Sequence, residues 1–135
     1  MKHHTKTKGD LGVLKAQVSL HEQGYTILQP MTEHSPFDIV AYKDSSFKRI
    51  QVKYRKATNG RIEVVFRSNY RGPSGNRIIK VDKSEVDYYC IYCPDTDKCY
   101  YININQYNES ITLRIVPSKN NQTQGINFAE DFTKI

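Results

Sequence analysis

The chain of 135 residues has no apolar run of the roughly 18 residues that a membrane-spanning helix requires, so a helical span is excluded. Nor does Met1-Lys2-His3-His4-Thr5-Lys6 provide an apolar signal core, and a soluble, cytoplasmic protein with no membrane partner is expected. His3 and His4 are too few for a metal tract, and residues 1–6 are expected to form a disordered basic end. Cysteine is scarce and odd in number: Cys90, Cys93 and Cys99 include a Cys-x-x-Cys element, but structural zinc needs four ligands and the fourth would have to be a distant histidine. Free thiols and no zinc are expected. Acidic residues are also in deficit, 14 against 20 Lys and Arg, giving a formal charge of +6 and a pI near 9.2. That balance favours an anionic partner without naming one. There is no internal repeat, and the length fits one domain over 1–135 with no room for a separate recognition module.

What is present reads as α+β. Leu11, Leu14 and Val18 recur at helical spacing, widened by Val13, Ala16 and Leu20, which predicts a helix over Thr7 to Gln23 stopped by Gly24. Strands follow at Tyr25–Leu28, ended by Pro30, and around Asp38–Tyr42 and Phe47–Lys53, the last two joined as a hairpin across a polar turn at Lys43–Ser46. Tyr54-Arg55-Lys56, the Asn59-Gly60 turn signal and Arg61 to Arg67 predict a second, basic hairpin, with Ser68 to Arg77 as a polar loop after it. Asp87–Tyr92 and Cys99–Ile102 form a third pair around the turn at Cys93–Lys98, and Ile111–Ile115 a last strand. Residues 117–135 read as a C-terminal extension: a polar linker to Gly125, then apolar residues from Ile126 to Phe132 suited to docking on the body or on another subunit. A helix followed by an antiparallel meander implies a mixed central sheet.

The stretch from Ser35 to Lys53 carries the candidate chemistry. Gln51 and Lys53 are two apart and project from one face of their strand, while Ile50 and Val52 point the other way. Asp38 lies near the start of the paired strand, so a carboxylate, an amide oxygen and an ammonium converge. A hard metal ion prefers oxygen ligands, and an attacking water needs a nearby cation, so this grouping suits phosphodiester hydrolysis. Asp38, Gln51 and the Val52 carbonyl would bind the metal, and Lys53 would orient or activate the water.

Asp38, a twelve-residue gap and Gln51-x-Lys53 resemble the PD-(D/E)XK nuclease signature, with Gln in place of the second acid. The wider pattern of Lys8-Gly9-Asp10-Leu11-Gly12, Glu33-His34-Ser35-Pro36-Phe37-Asp38 and Ile50-Gln51-Val52-Lys53-Tyr54 is similar to the small homing endonucleases encoded in cyanobacterial group I introns, up to about Tyr101. The resemblance implies a restriction-endonuclease-like core, Mg2+ dependence with Mn2+ able to substitute, double-strand cleavage of a long, partly palindromic site, and action as a homo-oligomer, a dimer or a tetramer. It also implies that the loop with Glu33, His34 and Ser35 approaches the nucleic acid. In the resembling nucleases a helix Glu stands four residues after the Gly of the Lys-Gly opening. Here that position is Val13, which either joins the apolar face or marks an attenuated form that still binds DNA, with Asp10 one helical turn earlier as a substitute.

Next to that site, the basic hairpin alternates cations with apolar or aromatic side chains. A two-stranded ribbon fits the DNA major groove, where Arg, Asn and Gln make paired contacts to bases. Ser35, Arg55, Lys56, Arg61, Arg67, Asn69, Tyr70, Arg71 and Arg77 are the candidate contacts to double-stranded DNA. Two alternatives stay open: a structure-selective junction resolvase on the same core, and a DNA-binding protein that has lost the chemistry.

Overall fold

Small residues decide how the N-terminal helix meets the sheet. The structure, a computed structural model, describes residues 4–116 and 124–135, with the side chains of 4–5 and 68–72 outside the description. Helix α1 (His4–Glu22) buries Gly12, Ala16 and Leu20. A Cβ on Gly12 would stand 3.5 Å from Val52 Cγ1, 3.8 Å from Tyr54 Cβ and 3.9 Å from Tyr92 Cβ, so the helix backbone runs close over the sheet there. The expected apolar face is corrected: Leu11, Leu14 and Val18 are 38%, 58% and 57% exposed. The rings of Tyr25, Tyr92 and Tyr101 pack in the same core, which at close-packed density leaves room for Gly12 and Ala16 along the helix and for Leu20 near its end. The helix begins at His4, ahead of the expected Thr7, and residues 1–3 lie outside the described residues. It ends at Glu22, two residues before Gly24, whose φ of +88° suits glycine, with the Tyr25 N–H returning to Leu20 O at 3.0 Å.

Strands β1 (Thr26–Leu28), β2 (Ile39–Lys43), β3 (Ser46–Tyr54), β7 (Tyr88–Cys93) and β8 (Lys98–Asn103) form a five-stranded sheet in the order β1-β2-β3-β7-β8. The β3 and β7 strands run parallel and the other neighbours antiparallel, so the central sheet is mixed, as the sequence implied. The predicted β2–β3 hairpin closes through Asp44 and Ser45, both at positive φ (51° and 63°), as a two-residue hairpin turn requires.

On the face away from α1 packs a three-stranded sheet of β4 (Arg61–Val65), β9 (Ser110–Arg114) and β10 (Asn127–Phe128). Ile62, Val64, Ile111 and Leu113 meet Tyr89, Ile91, Tyr100 and Ile102 in this second core. The predicted pairing of residues 54–56 with Arg61–Arg67 is therefore corrected. Asn59-Gly60 does make a tight turn, closed between Thr58 and Arg61, but β4 pairs with β9, Ile62 opposite Leu113 and Val64 opposite Ile111. Alternating Ile62, Val64 and Phe66 have an apolar partner surface there, whereas Tyr54-Arg55-Lys56 offers none. The ribbon lies one segment later. β5 (Arg67–Gly72) and β6 (Gly75–Lys80) form a separate two-stranded sheet where a polar loop was expected.

Cys90 and Cys99 lie in the helix-side core and Cys93 in the opposite one, all as free thiols, because a spacing of three along a strand sends side chains to opposite faces. Most of the Pro117–Gly125 linker lies outside the described residues. The end of the chain docks on the body: Tyr25 donates to Ile135 O at 3.1 Å, the Ile135 N–H donates to Gln23 Oε1 at 3.1 Å, and Glu130 pairs with Lys98 at 2.7 Å.

Ile50, wholly buried at the centre of β3 beneath α1, is the side chain through which the fold supports the site. Ile50→Ala is expected to lower the free energy of unfolding by about 2–5 kcal/mol, read from urea denaturation, through lost burial and a residual cavity.

Candidate active site

Asp38 sits one residue before β2 and continues its pairing, donating its N–H to Ile50 O at 2.9 Å. β2 itself begins with Ile39 opposite Ile50, so the Val52 N–H reaches past the end of that strand. The Asp38 carboxylate takes the place of the absent ladder partner, its Oδ2 accepting from Val52 N at 2.7 Å. Along a strand the N–H and C=O of one residue face the same edge, so the Val52 carbonyl points toward the edge that Asp38 occupies. Val52 Cγ1 lies on Gly12 of α1, while Gln51 and Lys53 face the other side, the Lys53 ammonium 6.0 Å from the centre of the Tyr89 ring. Gln51 and Lys53 thus share one face of β3, and the Asp38 carboxylate is bonded to the residue between them.

Burial pushes the Asp38 carboxyl above its ordinary range, opposed by the Val52 N–H and the Lys53 charge. Burial likewise lowers the Lys53 ammonium, helped by repulsion from Arg55 and resisted by Asp38. The solvent-accessible Asp38 carboxylate and the half-buried Lys53 ammonium are neighbouring opposite charges, a site that gains from an arriving ion or phosphate.

The strand that carries both is anchored by a pair the sequence did not announce. Arg49 donates through Nε and its backbone N–H to Asp87 Oδ2 at 3.0 and 2.8 Å, through a terminal nitrogen to Oδ1 at 2.9 Å, and through the other to Ser84 O at 2.8 Å. This fork holds the Asp87 carboxyl below its usual range and ties β3 to the start of β7. Tyr89, directly opposite Gln51 in the parallel register, is the second residue missed. Sequence alone places Asp87–Tyr92 in a structural hairpin, and only the β3–β7 pairing brings it to the site.

The candidate DNA contacts are not all brought together. Arg67 and Arg77 are exposed on the ribbon, and Asn69, Tyr70 and Arg71 belong to β5, with side chains outside the described residues. Arg55 and Lys56 are exposed just beyond β3, with the Arg55 N–H bonded to Tyr92 O at 3.0 Å. Ser35 is half-buried in the loop before Asp38, where its Oγ accepts from Phe37 N at 3.4 Å. Arg61 stands apart from the ribbon, in the three-stranded sheet opposite Arg114. Val13 is half-buried, next to the Gly12 contact with Val52.

The profile of a family described as PD-(D/E)XK endonuclease matches residues 3–135. The chain belongs to the PD-(D/E)XK endonuclease family. As in the sequence reading, its core is α+β, with one N-terminal helix and a mixed central sheet. A solved structure, that of the bacterial homing endonuclease I-Ssp6803I, superposes with a TM-score of 0.72 at 19% identity, covering 90% of this chain and 84% of that one. At that identity the likeness speaks for the fold. No curated protein sequence matches. Among the described residues no helix is long and apolar enough to cross a membrane, and no three or more His, Cys, Asp or Glu side chains group to hold a metal ion.

Proposed function

We propose that this PD-(D/E)XK protein is a divalent-metal-dependent, site-specific endonuclease of double-stranded DNA, a single nuclease domain that acts in the cytoplasm as an intron-encoded homing enzyme. The observation that carries the reading is the Asp38 carboxylate held on the Val52 N–H beside a desolvated Lys53 in a chain of this family. Asp38, Gln51 and the Val52 carbonyl are all oxygen donors, as a hard cation requires, and these would hold Mg2+ or Mn2+. The ion would supply Lewis-acid polarisation of the scissile phosphate. Lys53 orients the attacking water and offsets the charge that builds on the phosphate as the phosphorus–oxygen bond to the leaving group breaks.

The ribbon, about 20 Å long for six residues a strand, is of a size to lie in a major groove and read it through Arg67, Asn69, Tyr70, Arg71 and Arg77, while Ser35, Arg55 and Lys56 hold the backbone nearer the site. A double-strand cut needs two such sites related by symmetry, hence a homodimer or tetramer. Incubation with genomic DNA and Mg2+ or Mn2+, followed by sequencing of the new ends, tests the reading. A unique recurrent end supports it, and intact DNA overturns it. Cutting of a synthetic four-way junction without sequence preference would make the protein a resolvase instead.

One observation favours an attenuated form. Asp38 is the single anion of the donor set, and the helix position that carries a Glu in the resembling nucleases is occupied here by Val13, next in sequence to the Gly12 that meets Val52. Val13→Glu is expected to raise Mn2+ affinity, measured by calorimetry, and metal-dependent cleavage about tenfold or more, since a second carboxylate strengthens a hard-ion site. No change in either, in a folded variant, would remove α1 from the site.

A further inference from the structure

Every wholly or largely buried tyrosine of the two cores has a partner for its hydroxyl, except one. Tyr25 bonds Ile135 O, Tyr92 bonds Asp97 at 2.6 Å, Tyr100 bonds Thr96 at 2.9 Å and Tyr101 bonds Ser19 at 2.7 Å. Tyr89, 0% exposed, has none among the described residues. A buried donor without an acceptor is costly, and phenylalanine would fill the same volume without that cost. The ring is well used, edge-on to Phe66 at 5.2 Å and facing the Lys53 ammonium. The orphaned oxygen, however, lies in the field of Asp38 and Arg55, opposite Gln51 on the neighbouring strand.

We propose that the Tyr89 hydroxyl is a hydrogen-bond donor for a non-bridging oxygen of the phosphodiester bound at the Asp38–Lys53 site, satisfied only when nucleic acid is present. The inference rests on the nuclease reading above and deepens it by one residue. The Lys53 ammonium stands 6.0 Å from the centre of the same ring, so a phosphate paired with Lys53 would lie beside Tyr89. The donor is permanent, because burial pushes the Tyr89 pKa up to about 12 and the phenol stays protonated wherever the protein works. It contributes a hydrogen bond and takes no part in proton transfer.

Tyr89→Phe removes that oxygen alone. The variant is expected to melt at the same temperature as the wild type or higher. A bond from a neutral donor to a charged acceptor corresponds to about tenfold or more. That factor appears either in duplex affinity, measured by anisotropy in EDTA, or in the single-turnover cleavage rate at saturating DNA and Mn2+. The loss should be uniform over about pH 6 to 9, where the phenol does not ionise. A lower melting temperature would mean that the hydroxyl already has a partner, such as an internal water, and overturns the proposal. Unchanged affinity overturns it too, unless the cleavage rate falls. A wild type that cuts no DNA in Mg2+ or Mn2+ sinks the nuclease reading, and the affinity and melting comparisons then decide the role of Tyr89 separately.

Discussion

Asp38→Asn is expected to reduce metal-dependent cleavage by about a thousandfold or more while leaving the fold intact. The asparagine amide oxygen can still accept the Val52 N–H that the carboxylate accepts at 2.7 Å, so the entry into β2 is preserved. What disappears is the charge that would hold a cation. Folding should not suffer, because burial already disfavours the ionised form at this position. Lys53→Ala should lose activity to a comparable degree by removing the ammonium that offsets charge on the phosphate. Lys53→Met separates charge from packing, since it keeps an apolar stem against the Tyr89 ring. Cleavage assays paired with thermal melts check all three. Undiminished cutting by Asp38→Asn or Lys53→Met in a folded protein would move the active site elsewhere.

The second large effect is in salt. If an assembly neutralises roughly six to ten phosphates, duplex affinity should fall by about three to five decades between about 50 and 200 mM salt. Each ribbon arginine that grips a phosphate should take about 0.9 off the slope of log affinity against log salt when replaced. Arg77→Ala and Arg71→Ala, on opposite strands of the β5–β6 ribbon, are the variants to measure. A contact to base edges behaves differently: its loss relaxes sequence preference at one position and leaves the slope alone. An affinity nearly independent of salt would reduce the formal charge of +6 to ordinary surface.

Both predictions depend on features of very different legibility. Gln51 and Lys53 could be put on one face from the sequence because strand alternation is a local rule, and the two-residue turn at Asp44 and Ser45 pins the hairpin register that sets Asp38 beside that strand. The ribbon was misplaced by one segment because its turn signal is ambiguous. Asn59-Gly60 makes a genuine tight turn, but a turn does not choose the partner of the strand that leaves it.

By itself, then, the sequence determined what short-range stereochemistry controls: a helix stopped before Gly24, the β2–β3 and β7–β8 hairpins of the central sheet with their inward and outward parity, and Gln51 and Lys53 on one face of β3. Tertiary structure decided which surfaces were covered. Gly12 and Ala16, rather than Leu11, Leu14 and Val18, face the sheet because tyrosine rings already occupy that layer. β4 joins β9 because Ile62 and Val64 find apolar partners on a strand some fifty residues away. The parallel pairing of β3 with β7 brings Tyr89 opposite Gln51 and Asp87 to Arg49, through contacts 38 residues apart. No local pattern encodes such pairings, because their free energy comes from surfaces that exist only once the chain has closed on itself.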